Sequence, residues 1–342
     1  CDSINFRDGT PKAATEQRSS ASTAEKLRAG LTYLFGILCS LGTNKWRVDP
    51  VTGQPSGNPS ISETVSRYMV SLKKRKAQAG ETAMSARAIT PAIMRRLYIH
   101  NRRNYNALDV RMLSQQAKTQ KDDKAARMLQ CAYTLANLCL LRFDEVLRIK
   151  MQDLAYYQEA PGSGYFLLTL PVRKNAQQGR VPPFPLWPLE SDEAHMCPYR
   201  ALCEWLDASQ ITDGYLFPPL TSDGADFRCT GAPGDKRMVQ SSATFLEMFR
   251  CNLFRIGVDF SPYGTHSFRR GGCQYLVVDR RWNIRRVCEW GGWSTDFTHL
   301  TIVKYLISVA DEPMSSRVDF FRPGQKVAKL CRTCGRSCPC NS

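Results

Sequence analysis

His266-Ser267-Phe268-Arg269-Arg270-Gly271-Gly272 sets an imidazole and a guanidinium three residues apart and follows them with a glycine pair. Residues three apart share a helix face, so His266 and Arg269 can aim two donors at one oxyanion. Tyr305 stands thirty-six residues past Arg269, flanked by Ile302, Val303, Leu306 and Ile307 in a run with helical character. A phenol there could attack a phosphorus held by those donors. Each residue also has a plain structural use, as a hydrogen-bonded helix histidine or a core tyrosine.

Transesterification at a phosphodiester further requires more cations on the non-bridging oxygens, an acid for the leaving oxygen, and exclusion of water. Arg142 follows apolar Leu138, Leu140 and Leu141, so a partly buried guanidinium in need of an anion is expected. Asp144 is an N-cap residue type, and Glu145 falls in a first turn, where the helix dipole favours it. A salt bridge from Arg142 to Glu145 that only orders the turn is the competing use. Lys174 lies at the tip of an expected hairpin in Pro171-Val172-Arg173-Lys174-Asn175. A lysine among other cations shifts its pKa readily and can act as a general acid; Arg173 rivals it, and exposed hairpin lysines are commonplace. Trp293, in Gly291-Gly292-Trp293-Ser294, offers an indole N–H and a wall against water, or serves as a core aromatic. Lys304 beside Tyr305 would favour a phenolate.

The elements that must carry these groups read as mainly α with a small antiparallel β-sheet. Residues 1–21 are polar and expected to be a disordered tail. Residues 22–114 are expected to form a helical, basic unit of three helices. The first has Leu27, Leu31, Leu34, Phe35 and Leu38 on one face and Ser22 or Thr23 as cap; the second spans about 61–76 and is capped by Ser60 or Ser62. The third starts at Thr90-Pro91, with proline in the first turn. Polar residues 115–124 suit a linker, and residues 125–320 a second unit opening on a helix apolar on more than one face. Strands are expected at 165–172 and about 180–184 around a 175–179 turn, then helices at 198–209, 243–256, 266–278, 284–290 and 298–308. A cysteine-rich tail, 321–342, closes the chain.

Composition points to a polyanionic partner. Forty-seven Lys+Arg against 31 Asp+Glu give 342 residues a net charge of +16, and the cations cluster, as nucleic-acid binding requires. Lys73, Lys74, Arg75, Lys76, Arg95, Arg96, Arg102, Arg103, Arg173, Arg270 and Arg285 are the candidate DNA contacts. No apolar run reaches the ~20 residues that span a bilayer, and neither a signal peptide nor a membrane partner is expected. Most of the fourteen cysteines stand singly among apolar residues, Cys131, Cys139, Cys203, Cys251 and Cys288 among them. That fits reduced thiols rather than a disulfide framework. Cys331, Cys334, Cys338 and Cys340 could hold one zinc, although C-x-C is unusual spacing for a half-site. Opening at Cys1 without a methionine suggests a fragment or a trimmed chain.

The order Arg142, Lys174, His266-x-x-Arg269, Trp293, Tyr305 resembles the tyrosine recombinase (lambda integrase-like) superfamily. LLRFDEVLRIKMQDL (140–154) looks like that family's first-arginine box, THSFRRGG (265–272) like its second, and EWGGWSTDFTHLTIVKYL (289–306) like its third. With the helical unit before them as a core-binding domain, the resemblance covers about residues 22–320 and implies a two-domain recombinase architecture. Trp293, the PVRKNAQQG hairpin and the DFFRPG ending (319–324) are most similar to eukaryotic Crypton-type DNA transposon recombinases. The resemblance implies that Arg142, His266 and Arg269 clamp the scissile phosphate, with Glu145 orienting Arg142 and Trp293 supporting the site. Lys174 would protonate the leaving 5′-oxygen and Tyr305 form a 3′-phosphotyrosyl bond, with no cofactor, metal or ATP. It further implies double-stranded DNA as partner, a dimer on DNA, a tetrameric synapse, integration or excision of a mobile element, and a nuclear location. The chain departs from bacterial members in the twelve positions from Trp293 to Tyr305, which leaves cis or trans delivery of the tyrosine open. A type IB topoisomerase and a domesticated DNA-binding protein that has lost catalysis are the alternatives.

Overall fold

The computed structural model describes residues 8–13, 20–78, 86–106, 116–170, 182–221, 227, 239–293 and 301–306. The chain divides into two compact units, Cys1–Ala83 and Met84–Ser342.

In the first unit α1 (Ala21–Tyr33) begins two residues earlier than its apolar face suggests, because Ser20 rather than Ser22 or Thr23 caps it. The Ser20 hydroxyl accepts the Thr23 N–H at 3.3 Å. The helix widens into a π turn over Leu34–Leu38. A loop with two short antiparallel strands, β1 (Arg47–Val48) and β2 (Pro55–Ser56), leads to α2 (Glu63–Gln78). Ser62 caps α2 by accepting the Val65 N–H at 3.3 Å. Polar bonds hold this unit together. Asn58 donates to the carbonyls of Thr32 (3.1 Å) and Gly42 (3.3 Å) and accepts from the Ser60 hydroxyl at 2.7 Å, while Arg28 reaches the Ser60 carbonyl at 3.0 Å. Leu27, Leu31, Leu34, Ile37 and Leu38 stay exposed.

The second unit takes in α3 (Pro91–Asn106), which the sequence pattern had grouped with the first two helices. Thr90 caps it, accepting the Ile93 N–H at 3.2 Å, and Ile93, Met94 and Leu97 are wholly buried in the core shared with α4 (Gln116–Leu138). That burial draws α3 to α4. The expected linker at 115–124 is, from Gln116 onward, the first turns of α4: Gln, Ala and Lys are good helix formers, and no Pro or Gly interrupts them.

After the short α5 (Phe143–Leu147), strands β3 (Leu154–Ala160), β4 (Ser163–Leu168) and β5 (Phe184–Leu186) form an antiparallel sheet in the order β3-β4-β5. Tyr157 faces Tyr165, and Phe166 faces Leu186. Sequence reading missed β3, whose LAYYQEA run is nearly all exposed and lacks an apolar alternation. It also set β5 a few residues early. The expected 175–179 turn lies outside the described residues.

Helices α6 (Pro198–Ser209), α7 (Ser242–Arg255), α8 (Ser267–Gln274), α9 (Ile284–Gly291) and α10 (Thr301–Leu306) follow close to their expected positions, with a π turn over Tyr275–Asp279 extending α8. The molecule is mainly α-helical with small antiparallel sheets, as expected. Aromatic rings centre the core: Tyr133 stacks on Phe268 (4.8 Å) and meets Phe249 edge-on (5.5 Å), and Phe143 meets Phe245 at 4.6 Å. Among the described residues no helix is long and apolar enough to cross a membrane, and no cluster of metal-ligating side chains occurs. Cys131, Cys139 and Cys288 are buried free thiols, whereas Cys203 and Cys251 are exposed. Most of the N-terminal tail (1–7 and 14–19), and Cys331, Cys334, Cys338 and Cys340, lie outside the described residues.

Candidate active site

Three chain reversals bring the chemistry-bearing residues together. The first ends α4. Leu140 adopts the left-handed conformation (φ 53°), at a cost of roughly 1–2 kcal/mol for a non-glycine residue. Full burial of its side chain and the Leu141 N–H bond to the Ala136 carbonyl (3.0 Å) hold it there. The Trp290 indole of α9 donates to the Leu138 carbonyl at 2.6 Å, satisfying one of the orphan carbonyls at the end of α4. The chain then extends through Arg142, the N-cap of α5, a place the sequence pattern had given to Asp144. Glu145 closes the turn by accepting the Arg142 backbone N–H at 2.8 Å. Asp144 instead accepts the Ser242 hydroxyl at 2.5 Å, tying α5 to the start of α7.

The second reversal enters α8. Gly271 and Gly272 sit where backbone crosses backbone: a Cβ on Gly271 would come to 2.0 Å from the Ile89 carbonyl oxygen, and one on Gly272 to 1.9 Å from that of Asn137. The glycine pair therefore sets how deeply α8 seats against α4 and the 86–90 strap, whose Ile89 N–H bonds the Ser267 carbonyl at 3.0 Å. That depth buries Arg269, which is 1% exposed.

The third reversal ends α9 at Gly292 (φ 63°). The Trp293 N–H then bonds the Cys288 carbonyl at 2.8 Å, and Gly291 leaves room for the indole, since a Cβ there would lie 3.1 Å from the ring. Trp293 stacks on Tyr305 of α10, with centroids 5.3 Å apart and planes 23° from parallel. The Arg269 guanidinium lies 5.0 Å from the Trp293 centroid and 5.4 Å from that of Tyr305.

Arg269, Trp293, Tyr305, Glu145, Arg142 and His266 thus form one cluster. Its acid is Glu145, 3.6 Å from Arg269 and shared with the Arg142 amide. No ion pair to Arg142 occurs among the described residues. His266 is exposed at one edge, and its Nδ1 lies 3.2 Å from the Thr265 hydroxyl. Its pKa is lowered, chiefly because surrounding protein displaces water from the rest of the ring, then because the Arg142 and Arg269 charges oppose a third cation. The Trp293 indole N–H is buried without a hydrogen-bond partner among the described residues, an arrangement worth roughly 1–3 kcal/mol against the fold. Two guanidiniums, an imidazole and an indole N–H, with the carboxylates of Asp144 and Glu145 near them, include donors suited to a tetrahedral oxyanion.

Lys174 and Arg173 lie outside the described residues, as does the Lys304 side chain. The basic clusters divide. Lys73, Lys74 and Arg75 are exposed on α2, with Lys73 3.9 Å from Glu25, and Lys76 is half-buried. On α3 the arginines serve their own unit: Arg95 donates to the Asp192 carbonyl (3.1 Å), Arg96 to the Ile256 carbonyl, and Arg102 to the Tyr98 hydroxyl and to Glu204 (3.1 Å). The Arg103 side chain is outside the described residues. Arg270, expected at a DNA surface, is buried beside Arg269; in the short, deeply seated α8 both arginines turn inward. Arg285 is exposed and pairs with Glu289 at 3.1 Å within α9.

Sequence reasoning passed over Trp290, which caps α4, and Gln274, whose side-chain amide reaches the carbonyls of Tyr305 (3.5 Å) and Leu306 (3.2 Å). Neither carries a sequence signal, because the partner of each lies far along the chain.

No protein-family model matches the chain, and no characterised protein matches it by sequence. Among solved structures it is similar to XerH site-specific recombinase bound to palindromic difH substrate, a post-cleavage complex, with 14% identity, a TM-score of 0.45, and coverage of 84% of this chain and 61% of that one. It is also similar to the pre-cleavage complex of XerH with difH substrate, with 14% identity, a TM-score of 0.38, and coverage of 65% and 51%. The match spans between half and two thirds of the recombinase chains concerned.

Proposed function

We propose that the chain is a DNA strand transferase of the tyrosine recombinase kind, working through a 3′-phosphotyrosyl intermediate. The observation that carries this is the seating of Tyr305 against Trp293 and over the buried Arg269, beside Arg142, His266 and a buried indole donor. A binding module has no use for a phenol held over a buried guanidinium. Arg142 and Arg269 take the non-bridging oxygens of the scissile phosphate, where guanidinium geometry suits them. His266, kept neutral at pH 7 by its lowered pKa, adds an N–H donor rather than a third charge. The Tyr305 phenol releases its proton to solvent, its oxygen bonds to phosphorus as the phosphorus–O5′ bond breaks, and the 5′-oxygen takes a proton from Lys174, with Arg173 as the rival donor. The phosphotyrosyl bond conserves the energy for religation, so the reaction needs neither metal nor ATP. Exposed cations such as Lys73, Lys74 and Arg75 hold the duplex through its phosphates.

The finer assignment rests on the sequence boxes: a Crypton-type recombinase that integrates or excises a mobile element in the nucleus, as a dimer on DNA and a tetramer in synapsis. A nicked or 5′-bridging phosphorothiolate duplex tests the chemistry. A covalent protein–DNA adduct is expected from the native chain, with or without EDTA, and none from Tyr305→Phe at equal DNA binding. Binding without any adduct would leave a DNA-binding protein that has lost catalysis. Relaxation of plasmid lacking a cognate site would favour a type IB topoisomerase.

A further inference from the structure

Gln274 is the last residue of α8, five positions past Arg269 and thirty-one before Tyr305. Its side-chain amide donates toward two backbone carbonyls of α10, those of Tyr305 at 3.5 Å and Leu306 at 3.2 Å. The described part of α10 covers Thr301–Leu306, and a helix in a protein owes its placement more to tertiary contact than to its own propensity. Its position must come from what it rests on. Ile302 and Tyr305 supply apolar contact with the core, but such contact lets a short helix slide or turn. A directional donor to its backbone fixes register.

We propose that Gln274 is a positioning residue that latches the nucleophile helix onto the clamp helix of the same chain, so that Tyr305 is presented to Arg269 in cis. The proposal rests on the function assigned above to Tyr305 and adds to it what holds that tyrosine in place. Side chain and main chain divide the work: the Tyr305 ring is set by Trp293 and Arg269, and its backbone by Gln274. The Tyr305 backbone is thereby held at the site of its own chain.

The test uses the full chain and Gln274→Met, which keeps the length and removes the donor, with Gln274→Glu as a second donor-less variant of nearly the same shape. Hydrogen exchange on DNA-free protein reads the latch without reference to activity: peptides covering 301–306 should exchange about fivefold to tenfold faster in both variants, the loss expected for one neutral hydrogen bond, while peptides from α4 stay as they were. On the nicked duplex, adduct formation at saturating DNA should fall by a similar factor with DNA affinity unchanged, which a general loss of fold would not produce. Mixing Tyr305→Phe with Arg269→Ala chains should give adduct no faster than Arg269→Ala alone, because neither chain carries both groups. Native exchange rates at 301–306 in both variants would overturn the latch. Adduct formed in the mixture at a rate above that of Arg269→Ala alone would overturn it too, since the tyrosine would then be crossing between chains. If the native chain forms no adduct but the exchange difference is present, the assigned function fails and the latch stands as structure alone.

Discussion

Helices α8 and α2 carry arginine and lysine under opposite conditions. On α2 no residue is buried, Lys73, Lys74 and Arg75 face water, and the Arg67–Glu63 pair at 2.5 Å is exposed on both sides. On α8 two adjacent arginines are almost wholly enclosed. A hydrated cation costs the fold nothing and binds a phosphate non-specifically, mainly by releasing counterions. A guanidinium taken out of water costs several kcal/mol unless neighbours replace the solvent. Glu145 at 3.6 Å and two ring faces near 5 Å replace part of it. Under the proposed function, the scissile phosphate would add an anion to these contacts, most strongly where charge builds up in the transition state. Under the proposed function, the exposed cations of α2 would hold the duplex, whereas the enclosed Arg269 would act at the phosphate.

Backbone packing is where the two regions should differ most. Gly272→Ala forces a methyl into the Asn137 carbonyl and should destabilise the second unit by at least about 3 kcal/mol in denaturant unfolding. Gly30→Ala, in α1 with open space around it, should be neutral or stabilising by up to ~1 kcal/mol. Equal effects would mean that α8 is not seated by its glycines. Next, Arg269→Ala should slow adduct formation by ~10²–10³-fold while binding persists, whereas alanines at Lys73, Lys74, Arg75 and Lys76 should weaken binding and leave the saturated cleavage rate alone. Cleavage that tracks binding in both sets would erase the distinction.

Smaller again, Glu145→Gln should cost about 1.5–3 kcal/mol of stability as a charged capping bond is lost, against no more than about 0.5 kcal/mol for Glu63→Gln on α2. A gentler signature is titration. The folded pKa of His266 is lowered from the ordinary 6.5, so as pH falls below 6.5 the unfolded chain takes up the proton first. Stability present above that pH is then lost. His195 shifts the same way through burial and Arg95, so His266→Asn should flatten the decline between pH 7.5 and 5.5 in part; an unchanged slope would put His266 outside the cationic cluster. The smallest effect should be on folding of the four-alanine α2 variant, within about 0.5 kcal/mol of native, although its salt dependence of DNA binding should drop by about 0.9 per phosphate contact removed.

Much of this was legible because it was local. Thr90-Pro91 marked a helix start, the 198–209 apolar period a helix, and Gly271-Gly272 a close approach, each through neighbours within a turn or two. The division of units was not, since α3 is assigned by burial against α4, and the polar 116–124 stretch has the composition of a linker and the propensity of a helix. The cluster was legible as a list of residue types. Its wiring was not: Glu145 serves Arg142 through the backbone and Arg269 through charge, Arg270 points inward, and Trp290 and Gln274 act on carbonyls 152 and 31–32 residues away. Side-chain bonds to distant main chain leave no periodicity to read.

The most direct test of the central claim is to trap the protein on a 5′-bridging phosphorothiolate duplex in EDTA, digest it, and locate the nucleotide-bearing peptide by mass spectrometry. The expected result is a single modified residue, Tyr305, joined to a 3′-phosphate. An adduct at any other side chain, a 5′-linkage, or cleavage that stops when metal is removed would contradict it.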